Sequence, residues 1–429
     1  MRFLLKKILI PLATAVLKKY HPLIIAVTGT VGKTSTKQAI AVALRGTRTV
    51  RPSEKNNNTE IGCAVTILGM SSPGRSVLGW IAVFVHGIRL LLTTDSTYPS
   101  ALVLEFGAQA SGDISRLCKL FPPTVGVLTT IGATHAVGLG GIEGVIREKS
   151  ALIAALPQDG FAVINADDDL VLAQATKTHA KVVRYGFSEK ATVRGLEAHP
   201  MIRRDEKRGL FVEGMTFKIE VGGSVVPAVV PGVLGMPAVS SALAGVTVAT
   251  VLGTNPLIAI EGLQKFVAEK GHLRVIDGIK YATLIDDSYN ASTKSMIEAL
   301  RALRSIPLDE GEERIAVLGD MREMGALSEQ EHAAVGKAVV ECGVDRLITV
   351  GEMSRDIDRA ARAAGMAEER MTHFPETEAA GKFVQSIMER GDIILIKGSR
   401  GMHMEAVVKE LMAEPLQAEQ LLEWGEPTT

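Results

Sequence analysis

The sequence predicts an α/β protein of two successive domains: a P-loop parallel-sheet ATPase-type domain with a small antiparallel β subregion, then a Rossmann-like α/β domain. Three observations carry this. The apolar run 23–28 breaks into Gly29-Thr-Val-Gly-Lys-Thr and then into a helical pattern from Lys37 to Leu44. Further apolar runs at 101–105, 124–129 and 161–165, with 181–185 weaker, alternate with helix-length segments, as in a parallel sheet covered by helices. From about Lys270 the alternation restarts, with apolar runs at 281–286, 314–318, 346–350 and 393–396 but no second glycine-rich fingerprint. The expected boundaries are 1–22 for an N-terminal helix, 23–270 for the first domain and 271–429 for the second.

The stretch from Gly29 to Ser35 is the organising element. Strand, glycine loop and helix in that order let backbone N–H groups close around phosphate oxygens, with the positive end of the helix dipole behind them. Gly29, Thr30, Val31, Gly32 and Ser35 form the cradle. Lys33 can reach the outer phosphates, and the Thr34 hydroxyl is placed to ligate Mg²⁺. The longer eight-residue pattern would need glycine where this chain has Val27, so the match is to the short G-x-x-G-K-T form. An ordinary strand-to-helix turn is the competing reading; the flanking strand and helix favour nucleotide binding.

Composition excludes several classes. Lys and Arg number 47 against 48 Asp and Glu, so no global field attracts nucleic acid, and 4% aromatics argue against a stacking-based binder. Cys63, Cys118 and Cys342 lie far apart, in no metal-ligand spacing, which fits reduced thiols in a cytoplasmic protein. No apolar run reaches the ~20 residues of a spanning helix. Val77 to Leu92 comes closest and is interrupted by Gly79, His86, Gly87 and Arg89.

Residues 1–22 differ from the rest, with Arg2, Lys6 and Lys7 before an apolar run and Lys18-Lys19 after it. Three readings stand: a signal peptide, a helix docked on the first domain, and an interfacial helix making peripheral membrane contact at the inner surface. Pro11 would kink a continuous helix there. In the first sheet, polar residues end the strands: Glu105, then His135 beyond 125–134, then Asn165-Ala-Asp-Asp168. Ligands gather at such carboxyl ends. Residues 210–221 and 224–230 read as short antiparallel strands. In the second sheet the polar ends are Asp286-Asp-Ser-Tyr-Asn290, Gly319-Asp320 and Lys397-Gly-Ser-Arg400, and the tail after Leu411 reads as a terminal helix that frays.

Six segments in fixed order carry a family resemblance: Gly29-Thr-Val-Gly-Lys-Thr-Ser35, Lys55-Asn-Asn-Asn-Thr-Glu-Ile-Gly62, Leu104-Glu-Phe-Gly-Ala108, Gly132-Ala-Thr-His135, Asp286-Asp-Ser-Tyr-Asn-Ala-Ser292 and Lys397-Gly-Ser-Arg-Gly-Met-His-Met-Glu405. Over about residues 23–410 the chain resembles the Mur ligases. The resemblance implies ATP-dependent amide-bond formation in peptidoglycan precursor synthesis, with a carboxylate activated as an acyl phosphate and then taken by an amine. The implied partners are a UDP- or lipid-linked muramoyl peptide and D-Ala-D-Ala or an amino acid, for a monomer in the cytoplasm or at the inner membrane surface.

Residue by residue, the resemblance makes Lys33 the phosphate-loop lysine and Thr34 and Glu105 ligands of a first Mg²⁺. It makes His135 a ligand of a second, and Lys149 a lysine that becomes carbamylated; these with Lys33 stand closest to the chemistry. Read by itself, Lys149 is a solvated helix lysine. Asn58 is implied at the adenine, Asp287 at the ribose with Asn290 beside it, and Lys397, Ser399 and Arg400 facing the incoming amine. There are departures. The family's separate uridine-nucleotide domain is replaced by the 22-residue segment, which puts a UDP-linked acceptor in question. Its Gly-Arg is Gly271-His272, with Arg274 two residues on, and its His and Asn in a later helix are Pro237 and Ser241. These departures define the alternative, a nucleotide-binding scaffold at the membrane surface that has lost catalysis. Three scattered cysteines cannot build the four-cysteine zinc site of one Mur-like relative.

Overall fold

The computed structural model describes residues 2–54, 57–132, 139–206, 209–322 and 324–424, with residues 2–4 described by backbone alone. The chain divides into two compact units. One holds Met1–Glu197, Phe217–Val229 and Val239–Phe266; the other holds Ala198–Thr216, Val230–Ala238 and Val267–Thr429.

In the first unit, β1 (Leu23–Thr28) lies inside the sheet. With β2 (Val50–Pro52), β3 (Ala101–Glu105), β4 (Val125–Leu128), β5 (Phe161–Asn165) and β6 (Lys181–Gly186) the order is β2-β3-β1-β4-β5-β6, every pair parallel. The β3 and β4 residues are all buried, as expected for strands covered on both faces. The sheet continues through β7 (Val193–Asp205), β8 (Gly209–Val221) and β9 (Ser224–Pro231), with β7 parallel to β6 and a two-residue turn, Gly222-Gly223, between the last two. So tight a turn joins only antiparallel neighbours. Helices in this part of the chain are α1 (Arg2–Tyr20), α2 (Lys33–Leu44), α3 (Glu60–Leu68), α4 (Val77–Leu92), α5 (Asp113–Leu120), α6 (Gly141–Ala154), α7 (Asp169–Leu172), α8 (Met236–Val251) and α9 (Pro256–Gly262).

The N-terminal segment is a docked helix. Leu9, Ala13, Val16 and Leu17 of α1 are buried in one core with Val65 and Leu68 of α3 and Val83 and Leu90 of α4. Lys6 pairs with Glu60 at 2.8 Å, and the Lys19 ammonium donates to the carbonyls of Leu90, Leu91 and Thr93 at the end of α4. Pro11 does not divide the helix, because buried residues on both sides of it hold one continuous run. Among the described residues no helix is long and apolar enough to cross a membrane.

The second unit contains a six-stranded sheet of β10 (Arg274–Asp277), β11 (Thr283–Asp287), β12 (Arg314–Gly319), β13 (Arg346–Val350), β14 (Met371–Phe374) and β15 (Ile393–Lys397). Its order is β10-β11-β15-β12-β13-β14, with only β10 antiparallel to its neighbour. The helices are α10 (Thr293–Arg304), α11 (Ser328–Glu341), α12 (Arg355–Ala363), α13 (Thr377–Ile387), α14 (Glu405–Leu411) and α15 (Ala418–Leu421). Within the described residues, up to Trp424, the tail does not fray as the sequence suggested: Ala418 and Leu422 are buried in the core with Leu411 and Met412. Two apolar anchors outweigh a polar composition.

Candidate functional site

The loop between β1 and α2 is held from beneath by the end of β4. The Thr30 N–H donates to the Thr130 carbonyl at 2.8 Å, the Val31 N–H to Thr130 Oγ1 at 3.0 Å, and Thr129 Oγ1 to the Val31 carbonyl at 2.6 Å. Gly29 has φ +152° and lies so close to Thr129 that any Cβ would overlap the hydroxyl; Gly32, at φ +81°, caps α2 in the left-handed region. Both positions therefore require glycine. Ser35 lies in the first turn of α2, and Val31 is exposed at the loop tip.

Lys33 is half-buried, its ammonium donating to the Gly29 and Thr30 carbonyls at 2.9 and 3.0 Å. Burial pushes it below the ordinary lysine value, and the Glu105 carboxylate opposes that shift. Glu105 ends β3, in register with Val27, which places its carboxylate beside the loop. Thr34 Oγ1 donates to Glu105 Oε2 at 3.0 Å and Asn58 Nδ2 to Oε1 at 3.2 Å. Asn58 thus orients the carboxylate in this arrangement. Lys37, fully buried one turn after Lys33, stands 3.7 Å from Glu105 Oε2. Sequence reading passed over it, although Lys33 and Lys37 at i, i+4 share a helix face.

Lys149 corrects its own plain reading as a solvated lysine. It is 6% exposed on the inner side of α6. Burial and then the Lys33 charge bring it down to about 8, with Glu148 and Glu105 opposing. His135 lies outside the described residues. Neighbouring Glu148 was also missed: its two oxygens accept the Gly112 and Ile114 N–H groups at 2.7 Å each, which caps α5. We expect Glu148→Ala to cost about 2–3 kcal/mol, since hydrogen bonds to a charged group are lost and buried donors are orphaned. Urea unfolding measures this; no loss would mean that water serves those donors equally well.

The third polar strand end is structural. Asp168 accepts from the Ile131 and Val171 N–H groups, and Asn165 from the Asp167 N–H. Ser241 accepts from Thr36 Oγ1 at 3.3 Å, so it packs against α2 just behind the loop. Pro237 falls in the first turn of α8, where a missing N–H costs nothing.

In the second unit, Asp287 of β11 is in register with Lys397 of β15, and the pair closes to 2.7 Å. The Lys397 ammonium also donates to the Asn290 carbonyl at 2.8 Å, while the Leu273 N–H donates to Asp287. Burial raises the neighbouring Asp286, which accepts from Gly271 and Ser288. Ser399 Oγ accepts the Arg322 N–H at 2.8 Å. Arg400 lies over the Tyr289 ring, which also stacks on His272 at 4.7 Å, and donates to the Glu423 and Trp424 carbonyls. Arg274 donates to the Leu421 carbonyl.

Two regions of the sequence match known family descriptions: 85–247 the Mur ligase middle domain, and 272–400 the Mur ligase glutamate ligase domain. The chain is 30% identical over 407 residues to UDP-N-acetylmuramoyl-tripeptide–D-alanyl-D-alanine ligase of Bacillus subtilis, covering 94% of this chain and 79% of that one. The chain belongs to the Mur ligase family. The ligase is also 29% identical to the enzyme of the same name from Escherichia coli, over 90% of this chain and 76% of the other. In fold it is similar to the MurF ligase of Thermotoga maritima solved in complex with ADP, with TM-score 0.76 and 22% identity, over 97% and 84% of the two chains. The ordered motifs implied this family, and the α/β architecture agrees with it.

Proposed function

We propose that this Mur ligase uses ATP to activate the carboxylate of a muramoyl tripeptide and joins it to D-Ala-D-Ala, the reaction named for its curated relatives. The observation that carries the reading is the 3.0 Å bond from Thr34 to Glu105 beside the phosphate loop. A loop hydroxyl and a strand-end carboxylate, 71 residues apart in sequence, meet where a nucleotide's outer phosphates would be cradled. This donor set fits Mg²⁺, which takes one or two protein oxygens and completes its shell with phosphate and water. Thr34 and Glu105 would hold it, with His135 for a second ion and a carbamate on Lys149 as an anionic ligand of the cation site, and magnesium there would neutralise charge on the transferring phosphoryl group.

The steps follow from the groups. The acceptor carboxylate oxygen attacks the γ-phosphorus, the bond to the β–γ bridging oxygen breaks, and ADP leaves. Lys33 and the loop N–H groups hold the phosphate oxygens as charge shifts among them. The amine nitrogen of D-Ala-D-Ala, its proton lost, attacks the acyl carbon, and inorganic phosphate departs with the C–O bond. Residues 23–270 serve as the ATP domain, with Asn58 toward the adenine. Residues 271–429 supply Asp287 and Asn290 for the ribose and Lys397, Ser399 and Arg400 for the incoming dipeptide.

Mass spectrometry of a reaction containing ATP, Mg²⁺, D-Ala-D-Ala and either UDP-linked or lipid-linked muramoyl tripeptide tests this. The expected product is the acceptor plus one dipeptide less water, with one ADP released per amide. A folded protein that binds ATP yet releases no ADP with either acceptor would favour the non-catalytic scaffold.

A further inference from the structure

One side of α4 has no role in the ligase reading. Its inner side, with Trp80, Val83, Gly87 and Leu90, packs into the core, where Leu12 of α1 rests on Gly87. Its outer side carries Leu78, Ile81, Val85, Ile88 and Leu92, exposed by 79%, 51%, 60%, 51% and 80%. Steps of three and four place all five in one sector. From Leu78 to Leu92 that is a stripe about 21 Å long at the helical rise. Single exposed aliphatic residues are ordinary on a protein surface; a continuous stripe of five marks a surface that something covers.

The surrounding charge says what covers it. Neither α1 nor α4 contains a single Asp or Glu, although acids and bases balance in the chain as a whole. Arg89 stands exposed on α4, Arg75 is exposed just before it, and α1 alongside shows exposed Lys18. Lys6 and Lys19 are engaged in fastening α1 in place. A second copy of the chain would bring the same cations to the contact, with Asp95 beyond the end of α4, which acts on Arg89, as the acid beside them. Anionic lipid headgroups offset that charge, and the acyl boundary beneath them takes the apolar stripe. At 16 residues the helix is too short to span a bilayer but long enough to lie in its interface.

We propose that α4 docks the protein on an anionic membrane surface, with Leu78, Ile81, Val85, Ile88 and Leu92 at the acyl boundary and Arg75, Arg89 and Lys18 at the phosphates. The α1 helix contributes charge alone, because its apolar side is spent on the core. This does not depend on the ligase reading, since the test scores binding and not turnover.

The experiment is co-sedimentation of the full chain with vesicles of phosphatidylglycerol and phosphatidylcholine in equal parts, and with phosphatidylcholine alone. Wild-type protein is expected to sediment with the anionic vesicles. Ile81→Ser/Val85→Ser should partition at least about tenfold more weakly, because two aliphatic side chains no longer leave water. Arg75→Gln/Arg89→Gln should lose about fivefold per residue on anionic vesicles and little on neutral ones. All four side chains are exposed or edge positions, so melting temperatures should match wild type; should the serine pair unfold, Leu78→Ser/Leu92→Ser asks the same question at the two most exposed sites. Wild-type protein left in the supernatant, or equal partitioning of all variants, overturns the proposal. So does a wild-type dimer that the serine variants convert to monomer without any lipid effect, which would make a second copy the occupant.

Discussion

Lys33→Ala is expected to lose at least ~10²-fold in turnover while melting close to wild type, as when other preorganised electrostatic groups are removed. The ammonium's hydrogen bonds go to the Gly29 and Thr30 carbonyls of its own loop, so no bond to a distant element goes with it. What goes is the loop's cation, which in the proposed reaction would hold the phosphate oxygens. ADP release under saturating ATP and both substrates measures the loss, and a calorimetric scan checks the fold. Substitution by Arg restores charge without restoring shape: a planar guanidinium cannot reproduce the point-charge contacts of the ammonium with the Gly29 and Thr30 carbonyls, so Lys33→Arg should recover little. Near-wild-type release from a well-folded Lys33→Ala protein would remove the loop from the mechanism.

The parts of the structure that the sequence disclosed are those with strong local grammar. Strand β1, its glycine loop and α2 are dictated by an apolar run, two positions that admit only glycine and a helical period. The buried strands β3, β5 and β13 were equally clear from short aliphatic runs. Strands β2, β10 and β14 escaped because three or four residues hold no period, and their pairing is decided by neighbours far away in sequence. The site divides in the same way. Lys33 and Thr34 are local to the loop, whereas Glu105 reaches it only through the parallel register of β3 on β1. Lys37, Glu148 and the burial of Lys149 depend on which helix faces turn inward, and α6 shows little beyond ordinary amphipathic spacing to betray that a lysine faces in. The second unit hid its tail for a related reason: Ala418 and Leu422 sit among Glu, Gln and Pro, and only the core they share with Leu411 and Met412 makes anchors of them.

Lys149→Ala should be inactive, and a short carboxylate or bicarbonate in solution should restore part of the rate. The reasoning starts from burial. An ammonium held almost out of water beside the Lys33 charge falls to about 8, so a substantial share of the side chain is neutral near physiological pH. Only the neutral amine can attack carbon dioxide, forming the N–C bond of a carbamate and releasing one proton. The cation site then gains an anionic oxygen ligand where the bare lysine would repel a metal. Stability gives an independent reading with a definite sign. Between about 8 and the ordinary lysine value of 10.5 the unfolded chain binds more protons at this lysine than the folded one. Without carbon dioxide, wild-type stability should therefore rise with pH across that window, and Lys149→Ala should flatten the rise. In labelled bicarbonate, a carbon-13 carbamate signal should be present in wild type, absent from Lys149→Ala, and weaker as pH falls below about 8. Rescue of Lys149→Ala by small amines but not by carboxylates would make the residue a working cation and refute the carbamate.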